Sequence, residues 1–162
     1  MTLDSLSRLV IEPALALLPN EMNSPEAQLM LLAIGLQESG LEKRPLVKGG
    51  PHSYWQSESP DEMVHFVLRC PVTRDVAVEV CDARQVPPVD ERVRVALGHD
   101  DTLAAAFARL LLWSDPARLP ALDEVEASWD LYIRTWRTPD PRPERWPLHH
   151  ARAAQVVRTS GR

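Results

Sequence analysis

Residues Ala27–Glu58 read AQLMLLAIGLQESGLEKRPLVKGGPHSYWQSE. The run Leu29-Met30-Leu31-Leu32-Ala33-Ile34-Gly35-Leu36 is apolar throughout and ends in Gln37-Glu38-Ser39-Gly40. Ser24 suits a helix N-cap and Pro25 the first helical position. Gly40 suits the position just past a helix C-terminus, where a left-handed backbone is needed. Ser24 to Ser39 therefore reads as one helix of about four turns. Because apolar residues cover nearly every face, the helix is expected to be buried on all sides. The expected fold is mainly α, one domain over residues 1–158 built round this helix, with 159–162 as a frayed tail.

One carboxylate sits in the last turn, Glu38. The negative end of the helix macrodipole disfavours its ionised form, and partial burial acts in the same direction. A carboxylic acid held neutral near neutral pH is what a general acid requires. The plain alternative is an exposed last-turn residue.

Outward from this helix, the chain is a series of short helices. Asp4 to Leu18 has helical apolar spacing, which Pro13 is expected to split in two. Ser59 and Glu62 form a capping box with Pro60 at the first helical position. That helix is expected to stop near Cys70-Pro71. The next is read from Thr73 to Arg84, and a short one from Asp90 to Leu97. Asp100 caps a largely apolar helix from Asp101 to Ser114, whose small residues allow close helix approach. Asp123 to Arg137 reads as an amphipathic helix carrying Trp129, Tyr132, Ile133 and Trp136. Pro139, Pro141 and Pro143 make a stiff connector, and Glu144 to Val157 reads as the last helix. No stretch alternates long enough to demand a strand, though Gly49 to Gln56 could hold a short hairpin.

The chain has 162 residues, a length that suits a single core. Its net charge of −5 supplies no basic field for nucleic acid. Cys70 and Cys81 form no metal motif and are expected to be reduced, small hydrophobes. The N-terminus MTLDSLSRLVIEPALALL lacks a basic leader and a small-residue cleavage site, so it makes a poor signal peptide. No apolar run approaches membrane-spanning length. The five histidines show no ligand spacing. His149 and His150 are read as surface residues, and His52, Lys43, Arg44 and Lys48 as loop residues near Glu38. No metal or cofactor is assigned.

Glu38-Ser39-Gly40, a loop with Gly49 and Gly50, and then Tyr54-Trp55-Gln56 together resemble the lysozyme-like superfamily. The resemblance is nearest to its lytic transglycosylase and goose-type lysozyme branch, including small phage proteins of that kind. The match covers about thirty residues. A weaker similarity continues through Asp100–Trp113 and Trp129-x-x-Tyr132-x-x-x-Trp136. The sequence departs from the pattern where Ser53 or Tyr54 replaces the second loop glycine.

The resemblance implies a catalytic acid at Glu38 that protonates the glycosidic oxygen between N-acetylmuramic acid and N-acetylglucosamine. In the transglycosylase version the same group then deprotonates the sugar's own 6-hydroxyl. It also implies substrate contacts at Gln56, Tyr54, Ser39, Glu58 and Tyr132, the last falling where related enzymes place an aromatic residue, often Tyr, near the acid. Gln56 offers donor and acceptor together for sugar hydroxyls, or alternatively ties down its own loop. Glu58 and Asp61 are the possible second carboxylates. An inverting base would lie ~6.5–9.5 Å from the acid and a nucleophile ~5–5.5 Å. Asp61 also suits a helix N-terminus. Tyr54 and Trp55 could stack on sugar faces, with one of the two expected in the core. Trp113, Trp129 and Trp136 are read as core.

The functional expectation is a phage-encoded muramidase of lytic transglycosylase type, with peptidoglycan glycan strands as substrate and other virion proteins as partners. It would be made in the host cytoplasm without a signal peptide, carried on the virion and active in the periplasm. The alternative is a virion structural or assembly protein that keeps the body and little activity. A third reading is an endolysin released through a holin.

Overall fold

The computed structural model describes residues 1–42, 53–55 and 60–161. Nine α-helices make up the described chain: α1 (Leu3–Leu6), α2 (Glu12–Ala16), α3 (Pro25–Ser39), α4 (Pro60–Arg69), α5 (Arg74–Ala83), α6 (Asp90–Leu97), α7 (Asp101–Trp113), α8 (Val125–Trp136) and α9 (Trp146–Ser160). No strand occurs among the described residues. Of the expected hairpin, residues 49–52 and Gln56 lie outside them, and so does Ser59 of the expected capping box.

Helix α3 has the ends its sequence implies. The Ser24 hydroxyl accepts from the Ala27 N–H at 3.1 Å. Gly40 takes the left-handed conformation at φ 60° and donates its N–H to the Leu36 carbonyl. Ala27 and every residue from Leu29 to Leu36 are buried. The helix packs along α9 on one side and against α7 and the N-terminal segment on others. Truncating one of these leucines to alanine would cost about 2–5 kcal/mol.

Helix α7 is the second buried element. Asp100 caps it through the Leu103 N–H at 3.0 Å, and all residues from Leu103 to Leu112 are buried. Among them is Arg109, 2% exposed. Its Nε donates to the Met22 carbonyl at 2.8 Å and its guanidinium lies 5.3 Å from the Trp113 ring centroid. The pair ties the 3₁₀ turn Asn20–Met22 to α7.

The first segment does form two short α-helices, with Pro13 in the first turn of the second, but they are not separate pieces. A π turn over Ser7–Ile11 joins α1 to α2, and the Glu12 N–H reaches back five residues to the Ser7 carbonyl. Pro13 has no N–H for the Leu9 carbonyl, and the wider turn accommodates its ring without breaking the helix. Two expectations need correcting. The last helix does not end at Val157 but runs to Ser160, through half of the expected tail. Thr73 stands at the start of α5 without capping it. Its hydroxyl donates to the Val67 carbonyl at 2.8 Å and joins α5 to the end of α4.

Candidate active site

Glu38 stands in the last turn of α3, half-buried. Its Oε1 accepts a hydrogen bond from the Tyr132 hydroxyl at 2.5 Å. Burial pushes the carboxyl up to about 7, against a smaller opposing effect of the Tyr132 bond. Desolvation penalises only the charged form, whereas the phenol O–H stabilises it. Tyr132 is 1% exposed, and burial, with Glu38 beside it, raises its own pKa. It therefore serves as donor throughout the ordinary pH range.

Tyr132 lies in an aromatic nest. The Trp146 ring stacks on it at 5.2 Å and 7°. Trp129 and Trp136 lie at 5.4 Å and 6.2 Å. The Trp146 Nε1 donates to the Ser128 hydroxyl at 3.1 Å and the Val125 carbonyl at 3.2 Å. The reading of Trp129 and Trp136 as core holds in that both pack against the core while staying partly exposed. The role of Trp146 was missed. Its only local signal was a large aromatic residue at the start of an otherwise weakly patterned helix.

The neighbouring Gln37 is fully engaged. Its Nε2 donates to the Pro141 and Arg142 carbonyls at 2.7 Å and 3.0 Å. Its Oε1 lies 2.8 Å from His149 Nδ1. Because Oε1 can only accept, His149 carries its proton on Nδ1. The proline connector and α9 are thus fastened to the end of α3 beside Glu38. His149 and His150 are not surface residues as expected. His149 is half-buried and His150 is 2% exposed. Burial holds both below the usual histidine range.

Ser39 donates its hydroxyl to the Gly35 carbonyl at 2.7 Å and accepts the Leu41 N–H at 3.2 Å. It closes the helix end. Trp55 is fully buried, its Nε1 donating to the Leu31 carbonyl at 2.7 Å. Tyr54 is 5% exposed and meets the Trp55 ring edge-on at 6.0 Å. Both aromatics are therefore almost wholly covered, Trp55 bordering the groove described below without exposed surface, where one was expected to face a sugar. The Trp136 Nε1 donates to the Trp55 carbonyl at 2.8 Å and ties this segment to α8. Gln56, Glu58, Lys43, Arg44, Lys48, His52 and the Asp61 side chain lie outside the described residues.

A groove of about 460 Å³ is lined by Met63, Phe66, Ser114, Arg134, Trp136 and Arg137 among others, and Glu38 is not one of the lining residues. Trp136 is common to the groove and to the Tyr132 nest. No group of three or more metal-ligating side chains occurs among the described residues. Cys70 and Cys81 are free, and burial pushes the Cys81 thiol up to about 11. No described helix is long and apolar enough to cross a membrane.

Compared with known proteins, the chain matches no family model, no curated protein and no solved structure.

Proposed function

We propose that the protein is a peptidoglycan-cleaving muramidase of lytic transglycosylase type, phage-encoded and carried on the virion, with a lysozyme-like fold and Glu38 as its one catalytic carboxyl. The observation that carries this reading is the half-buried Glu38, pushed up to about 7 and bonded to the Tyr132 hydroxyl. A group poised there populates both protonation states near neutral pH, and the reaction uses both. In the first half Glu38 gives its proton to the bridging oxygen as the bond from that oxygen to C1 of N-acetylmuramic acid breaks. In the second half the carboxylate takes the proton of the same sugar's 6-hydroxyl as O6 bonds to C1. The product is a 1,6-anhydro sugar, no water is consumed, and Glu38 ends protonated as it began.

Purified sacculi test this directly. The wild-type protein should release soluble muropeptides that mass spectrometry identifies as anhydro forms. Glu38→Gln should lower that release by about 10²–10⁴-fold, the usual contribution of a positioned acid. Equal release by the variant would remove Glu38 from the mechanism.

One observation favours a second reading, a virion structural protein with little activity. The 460 Å³ groove is not lined by Glu38. Under that reading purified virions contain the protein, while the protein releases no muropeptide from sacculi.

A further inference from the structure

Three indoles surround Tyr132, and they differ in origin. Trp129 and Trp136 belong to its own helix, three residues before and four after it, so they share its face. They move with Tyr132 whenever α8 moves. Trp146 alone comes from another element, the first residue of α9. Helix α9 packs along α3 and also against α8. The distance from Glu38 on α3 to Tyr132 on α8 is therefore set in part through α9, alongside the tie that Trp55 makes to Leu31 on α3 and to Trp136 on α8.

We infer that Trp146 is a positioning residue, which holds the Tyr132 side chain against α9 so that its hydroxyl stays on the Glu38 carboxyl. The stack at 5.2 Å and 7° covers one face of the phenol ring. The indole is itself fixed, 2% exposed and bonded through Nε1 to Ser128 and Val125 in the first turn of α8. One flat side chain thus locks α8 to α9, and α9 lies along the helix that carries the acid. Beside it, Gln37 fastens the connector and His149 to the same end of α3. The titratable groups around the pair are Glu38 on α3, Tyr132 on α8, Asp140 in the connector and His149 on α9.

This rests on Glu38 as the acid of the proposed reaction, but its test reads the carboxyl itself. Protein labelled at the glutamate side-chain carbon is titrated by carbon-detected NMR, with the Glu38 signal assigned by its absence in Glu38→Gln. Tyr132→Phe removes a hydrogen bond to the charged form and should raise the Glu38 pKa by about one pH unit. Trp146→Leu should raise it by about half as much or more, and should add nothing in the Tyr132→Phe background. Trp146→Phe, which keeps an aromatic face, should return towards the wild-type value.

A merely space-filling Trp146 gives the opposite sign. Loosening the core admits water to the carboxyl and lowers its pKa. A fall, no change, or an equal shift in the Tyr132→Phe background would each overturn the inference. Trp146→Met is read in parallel with Trp146→Leu, so that loss of folding in one leaves the other to decide. Absent muropeptide release from sacculi would count against the proposed reaction and leave this result standing.

Discussion

Replacing Glu38 by glutamine should stabilise the protein at alkaline pH and leave it nearly unchanged at acid pH. The folded chain raises this carboxyl from 4.5 to about 7, so the folded state holds the proton more tightly than the unfolded state. Below about pH 4.5 both states are protonated and the burial of a neutral acid costs little. Between pH 4.5 and 7 the unfolded chain releases its proton first, and stability falls as pH rises. Above 7 the folded protein must carry a desolvated carboxylate. At ~1.36 kcal/mol per pH unit the two limits differ by about 3 kcal/mol. Glu38 keeps some solvent contact, which brings the expected effect to about 1–2 kcal/mol.

Glutamine has nearly the same shape, can still accept the Tyr132 O–H, and never ionises. All other titrating groups are common to both proteins, so the difference between their stability curves isolates residue 38. For a chain of this size the variant should melt about 3–6 °C higher than wild type at pH 8.5. At pH 4 the two should melt together. Paired calorimetric scans from pH 4 to pH 8.5 provide the assay. A difference that is flat across that range would refute the argument, because it would mean that folding does not desolvate the carboxyl.

Two further outcomes follow from the packing. A Cβ added at Gly35 would lie 3.3 Å from the Trp55 Nε1, and that nitrogen is held by the Leu31 carbonyl. The gain of about 1 kcal/mol in helix propensity is then outweighed by overpacking of about 1–3 kcal/mol, and Gly35→Ala should lower the melting temperature, a rise being the contrary result. Asp100→Ala loses both the cap on α7 and the ion pair with Arg84 at 2.7 Å, for about 1–2 kcal/mol in urea unfolding. Asp100→Asn keeps the cap and should recover most of it; if it destabilises as much as alanine, the cap is not what counts.

Helix α3 was legible because its signals are local. Ser24, Pro25 and Gly40 mark its ends within one turn of the backbone groups they serve, and its uniform apolarity announces burial without reference to any partner. The proximity of Tyr132 to Glu38 came from the resemblance alone, since 94 residues separate them. Trp146 was beyond reach for the same reason. Its partners lie on α8, and nothing in its neighbours' spacing indicates which ring it will cover. His150 misled because it follows His149 in a polar-looking segment, yet adjacent helical residues point about 100° apart. Tyr54 and Trp55 were read as one core ring and one sugar-facing ring. In the described structure they share a turn and both are buried. Pro13 was read as a break, and nothing local in the sequence marks the π turn before it, which joins the two pieces.

That π turn also fixes the phase of the molecule's first helix. Ser7–Ile11 holds one residue more than an α-helix would need to span the same rise. Leu6, which reaches within 3.7 Å of a Cβ placed at Gly35, is therefore keyed to α3 by a surplus residue between it and Pro13. A frame-preserving deletion of one codon in this stretch would let the helix rewind to ordinary pitch. Everything before it would then turn by about 100°, carrying Leu3 and Leu6 away from the core. The segment works like a vernier, so its length matters as well as its buried side chains Val10 and Ile11.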